Sequence, residues 1–143
     1  MFGQEPSRKN FVYQLVDRLR NGTPFHVPSD QIITPTYAPS LARAIVELLD
    51  GGRSGTFNVV GPEILARMVF AEMVAMVFGL DLALLHARES PDLGQIARRP
   101  PRGGLRDDAL RAALGHALTP PVGGLRALAP LSGTAPEGTG TAR

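Results

Sequence analysis

Cysteine and tryptophan are missing from this 143-residue chain, and Lys9 is its only lysine. Without cysteine there are no disulfides, thiolate metal ligands or cysteine nucleophiles, a pattern expected of a cytoplasmic protein. No Gly-x-Gly-x-x-Gly or Gly-x-x-Gly-x-x-Gly occurs, so the turn that brings backbone against a dinucleotide pyrophosphate is missing. A Tyr-x-x-x-Lys pair, in which the lysine helps the tyrosine donate a proton, is missing too. Tyr13 and Tyr37 are followed four residues later by Asp17 and Leu41. His26, His86 and His116 stand far apart and show no metal-ligand spacing. The N-terminus lacks the apolar core of a secretory signal. The net charge of +2 is nearly balanced, and no basic stripe is interleaved with aromatics, so no nucleic-acid partner is expected.

What is present suits one domain with a modest core: 43% of the residues are apolar. Asn10 can cap a helix whose apolar set is Phe11, Leu15, Val16 and Leu19, with Asn21-Gly22 as its stop. Thr23–Val27 reads as a short strand, and Ile32–Tyr37 as extended or irregular because of Pro35. Ser40 is expected to cap a second helix, Leu41–Leu49, on which Arg43 and Glu47 are spaced to pair. Thr56–Val60 reads as a strand covered on both faces, though its sheet neighbours are not obvious in the chain. Leu65–Phe78 is apolar on nearly every face, so it wants protein on more than one side and is a buried helix rather than a membrane span. Leu82–Ala87 reads as a last strand and Asp108–Leu114 as a short helix. From Leu118 onward proline and glycine dominate, so 118–143 is expected to be a disordered tail with at most a helical turn near Leu125–Leu128. The pattern is α/β with an incomplete sheet.

Three groups suit an anionic ligand. Asn10-Phe11 opens a helix just after Arg8 and Lys9, and a helix N-terminus beside cations favours phosphate; capping alone also accounts for Asn10. Asp30-Gln31 with Thr34-Pro35-Thr36 sets polar side chains beside a proline-fixed backbone, where they could read hydroxyls or a base edge; a plain turn and loop is the alternative. Arg98-Arg99-Pro100 sets two guanidinium forks before a stiff loop, a clamp for a diphosphate or else a solvated charge pair.

In this order and spacing, Phe2-Gly3, Asn10-Phe11, Asp30-Gln31, Pro35-Thr36, Leu41-Ala42, Gly55-Thr56-Phe57, Gly61-Pro62-Glu63, Phe70-Ala71, Phe78-Gly79 and Arg99-Pro100 resemble the dTDP-4-dehydrorhamnose reductase family of extended short-chain dehydrogenases. The resemblance runs from residue 1 to about 115 and covers only the C-terminal, nucleotide-sugar-binding part of that family. It implies that 1–117 is a substrate-binding domain with late Rossmann elements, Thr56–Val60 among them. Asn10, Phe11, Gln31, Thr36, Arg98 and Arg99 would then be the substrate-binding set, and no residue of this chain would be catalytic. NAD(P)H is implied for a complete family member, with no cofactor bound by this chain alone. Departures are Ile33 for a frequent glycine, Arg102-Gly103 for Asn-Ser, and Ala66 and Met68 where a capping serine and a tyrosine are common.

The expected function is therefore the nucleotide-sugar-binding portion of a reductase or epimerase, cut off just after the region holding the catalytic residues. The expected partners are a nucleotide diphospho-sugar and either a cofactor-binding polypeptide or a second copy. Two alternatives stand beside it. One is a non-enzymatic subunit similar to the methionine adenosyltransferase beta subunit, and the other is a non-functional truncation.

Overall fold

Asn10 starts the first helix as its sequence requires: the side-chain oxygen accepts from the backbone N–H groups of Val12 and Tyr13. The helix, α1 (Phe11–Arg20), ends at Asn21, and Gly22 takes the positive φ that follows. In this computed structural model, which describes residues 1–94 and 100–133, α1 is followed by strand β1 (Phe25–Pro28) and the two-residue β2 (Ile32–Ile33). Next come α2 (Ala38–Asp50), β3 (Leu65–Ala66), α3 (Arg67–Phe78), β4 (Leu85–Arg88), α4 (Asp108–Leu114) and α5 (Pro121–Leu128), with short 3-10 turns at Leu82–Leu84, Ser90–Leu93 and Ala129–Gly133.

The sheet is incomplete, as expected. Parallel β1 and β4 form one two-stranded piece, and antiparallel β2 and β3 form another. One principal core lies against β1 and β4, formed by Val12, Leu15, Val16 and Leu19 of α1 and Phe70, Ala71, Val74 and Ala75 of α3. The nearly all-apolar α3 is served on several sides, by α1, by α5 and by β1. No helix among the described residues is long and apolar enough to cross a membrane.

Four expectations are corrected. Thr56–Val60 is not a strand, because a strand needs a neighbour for its backbone groups and no described segment forms a ladder with it. Phe57 and Val59 instead pack on a smaller cluster of Ala44, Leu48, Leu110 and Leu118. Ser40 does not cap α2, which begins at Ala38 with Pro39 in its first turn; the Ser40 hydroxyl is buried and accepts from the Thr119 N–H at 2.9 Å. Glu47 meets His116 at 2.8 Å rather than Arg43.

The largest correction concerns 118–143. Residues 121–128 are a helix whose Leu125 and Leu128 are fully buried in the principal core. Pro121 breaks nothing at the first helical position, where its missing N–H is not needed. Gly124 permits a close approach: a Cβ there would lie 2.8 Å from Tyr37 and 2.9 Å from Phe2. Only 134–143 of the expected tail falls outside the described residues.

Because α5 completes the core, Leu125→Ala should cost about 2–5 kcal/mol in urea unfolding. A loss below about 1 kcal/mol, within the range of surface substitutions and their neighbours, would show that α5 is not docked.

Candidate functional site

Gln31 is the centre of the polar cluster. It is buried, and its amide is used on both sides. The Gln31 Nε2 donates to Ser90 Oγ at 2.8 Å, and Arg67 Nη1 donates to Gln31 Oε1 at 2.9 Å. The Gln31 carbonyl also accepts from the Arg67 backbone N–H at 2.8 Å. That last bond satisfies one of the four free N–H groups at the start of α3, whose N-cap Ala66 has no polar side chain to cap with.

Arg67 is a functional candidate that neither spacing nor the family resemblance singles out. It is the first residue of α3, so its positive charge sits at the positive end of the helix dipole, an unfavourable place unless negative groups approach. Its guanidinium lies 4.7 Å from the centroid of the Phe11 ring. Arg67, Phe11 and Gln31 thus come from α3, α1 and the residue before β2, and they meet at one place. The signal lies in residue order: a cation in the first turn of a helix opposes the helix dipole.

Ser90 extends the cluster. Its hydroxyl donates to Asp30 Oδ1 at 2.7 Å, and its N–H donates to the same oxygen at 3.2 Å. The Ser90 hydroxyl bond is the main reason that the Asp30 carboxyl sits below its ordinary value.

The other expected residues are placed differently. Asn10 belongs to the fold, since its oxygen caps α1 and its Nδ2 donates to the Gly3 carbonyl at 3.0 Å. Arg8 is bound to Asp17 at 2.6 Å and lies over the Tyr13 ring. Thr36 is buried, donating to the Thr34 carbonyl and accepting from the Gly61 N–H. Arg98 and Arg99 lie outside the described residues. Both flanks of their segment are anchored beside Gln31, however. Ser90 touches the Gln31 amide on one side, and on the other Ile32 N–H donates to the Pro101 carbonyl at 2.7 Å while Gly103 N–H donates to the Ile32 carbonyl at 3.0 Å. Thr34 Oγ1 further holds Leu105 through both its N–H and its carbonyl.

An open cleft of about 760 Å³ lies elsewhere, on the outer face of β1 and β4, lined by His26, His86, Ser29, Arg88, Glu89 and Asp92. It does not include Gln31, Arg67 or Phe11.

A family model described as the RmlD substrate binding domain matches residues 1–127. A probable low-salt glycan biosynthesis reductase, Agl14, of Haloferax volcanii is 36% identical over 87 residues, which are 61% of this chain and 29% of that protein. The dTDP-4-dehydrorhamnose reductase of Bacillus anthracis, solved in complex with NADP, superposes with a TM-score of 0.79 at 21% identity, over 89% of this chain and 44% of its own. An ortholog from Clostridium acetobutylicum superposes with a TM-score of 0.76 at 23% identity, over 86% and 44%. The chain thus spans less than half the length of these relatives.

If Ser90 holds the Asp30 carboxylate, Ser90→Ala should raise the Asp30 pKa toward the ordinary carboxylate value in an NMR titration. Because the folded value is depressed, this bond stabilises the fold above the ordinary value and is lost as pH falls through the depressed one. An Asp30 titration indifferent to the substitution would contradict the contact.

Proposed function

The chain belongs to the RmlD substrate binding domain family, and on that premise we propose that it is the grip for a nucleotide diphospho-sugar in an NAD(P)H-dependent reductase of keto-sugar nucleotides, working in the cytoplasm and carrying no hydride machinery of its own. The observation that carries this reading is Arg67, held by the Gln31 amide beside Phe11 at the N-terminal end of α3. Cation and helix dipole add there, which favours a diphosphate. Phe11 offers an aromatic surface next to it for the nucleoside or sugar. Arg98 and Arg99 stay in the proposal because the flanks of their segment are tied to Gln31 and Ile32.

In this reading the residues divide the work. Arg67, with Arg98 and Arg99, neutralises the diphosphate. Gln31 and Ser90 orient Arg67 rather than touching the substrate. Asn10 and Thr36 leave the binding set, since their side chains serve the fold. The contribution to the reaction is positioning of the keto-sugar. A bound nicotinamide would supply the hydride. The described residues do not suit one: β1 runs into a Pro28-Ser29-Asp30 turn and the two-residue β2, not into a glycine-rich turn and helix.

An exposed apolar face supports a complementary half in this reading. Ile45, Val46 and Leu49 form an exposed apolar face on α2, with Leu49 73% exposed, and Thr56–Val60 has no ladder neighbour among the described residues. Apolar surface of that kind fits the packing of a further part of the reductase, in the same polypeptide or another.

Calorimetry with a dTDP-linked sugar tests the reading. Binding is expected, and Arg67→Ala should weaken it about tenfold or more, the usual loss when a charged hydrogen-bond donor is removed. NADPH should give neither binding nor turnover with the purified chain. Undiminished affinity in Arg67→Ala, or reduction of a keto-sugar nucleotide by the chain alone, would overturn the proposal.

A further inference from the structure

We propose that His26 and His86 form a two-imidazole site for a single divalent transition-metal ion on the outer face of the β1–β4 sheet. Side chains alternate along β1: Val27 is buried against the helices and Phe25 packs beside it, which sends His26 to the opposite, solvent face. In the parallel pairing His26 is the register partner of His86, so two residues 60 positions apart (86 − 26) stand side by side on that face. Their ring centroids are 5.6 Å apart, and the ring planes are inclined by 42°.

That spacing fits a shared ion. Two imidazoles bound through metal–nitrogen bonds of about 2.0–2.1 Å, at an angle between tetrahedral and trigonal, hold their centroids roughly 5.2–5.5 Å apart. The observed 5.6 Å separation lies just above that range. The same cleft is lined by Glu89 and Asp92, whose charges favour a cation, and by Arg88, which opposes one. No group of three or more metal-ligating side chains is present among the described residues, so the protein supplies two ligands and solvent supplies the others. Imidazole pairs select Zn²⁺, Ni²⁺ or Cu²⁺ over Mg²⁺ and Ca²⁺, which prefer oxygen ligands. A bound ion would staple β1 to β4, and the turn that starts at Ser90 follows two residues beyond the end of β4. The ion would stabilise the native chain by mass action.

NMR of the intact chain under Ni²⁺ titration tests the site, with His116, which is paired to Glu47, as the internal reference. The His26 and His86 ring signals should broaden together at one equivalent of site, at Ni²⁺ concentrations at least tenfold lower than those that affect His116. In His86→Gln the concentration needed to broaden His26 should rise at least tenfold, and His26→Gln should do the same to His86. Both side chains are exposed, so metal-free thermal melts of the two variants should match the parent, and an upward shift of the melt by Zn²⁺ should be confined to the parent. Equal sensitivity of all three histidines, no response below millimolar Ni²⁺, or an unchanged His26 response in His86→Gln would each overturn the proposal.

Discussion

A single buried amide ties the molecule together. Gln31 is almost wholly removed from solvent, and a buried amide without partners costs about 1–3 kcal/mol. Its donor goes to Ser90, its side-chain acceptor to the Arg67 guanidinium, and its backbone carbonyl to the Arg67 N–H. Three otherwise unrelated pieces, the β2 entry, the α3 N-terminus and the turn after β4, are therefore held in one arrangement. Arg67 owes its position beside Phe11 to that arrangement. Hydrogen bonds from Ile32 to Pro101 and Gly103 then fix where the chain returns after the Arg98-Arg99 segment.

Much of this was legible from residue order, because local rules govern the clearest elements. Asn10 and Asn21-Gly22 delimit α1, Gly79 in the left-handed conformation ends α3, and α4 covers Asp108–Leu114 as its pattern indicates. Local rules failed where the deciding contact was distant. Pro120-Pro121 and Gly123-Gly124 suggest a structureless tail when read in isolation, yet Pro121 opens a helix and Gly124 lets that helix approach Phe2 and Tyr37. The apolar run Thr56–Val60 suggests a strand, but strands are made by neighbours, and none of the described segments provides one.

The candidate site was half visible for the same reason. Gln31 and Phe11 stand out by spacing and resemblance, whereas Arg67 gains meaning only when α3 is packed against α1 and β2. Asn10 and Thr36, polar residues at turns, use their side-chain hydrogen bonds on the backbone, which residue order alone does not reveal. The family match covers residues 1–127, the chain spans less than half the length of the solved relatives, and α2 carries exposed Ile45, Val46 and Leu49.

The most direct measurement is a ¹⁵N–¹H NMR titration of the chain with thymidine diphosphate, followed residue by residue. The account predicts saturable shifts centred on Phe11, Gln31, Arg67 and Ser90, with the Arg67 side-chain signal among the largest. Shifts confined to other surfaces, or none at millimolar ligand, would contradict it.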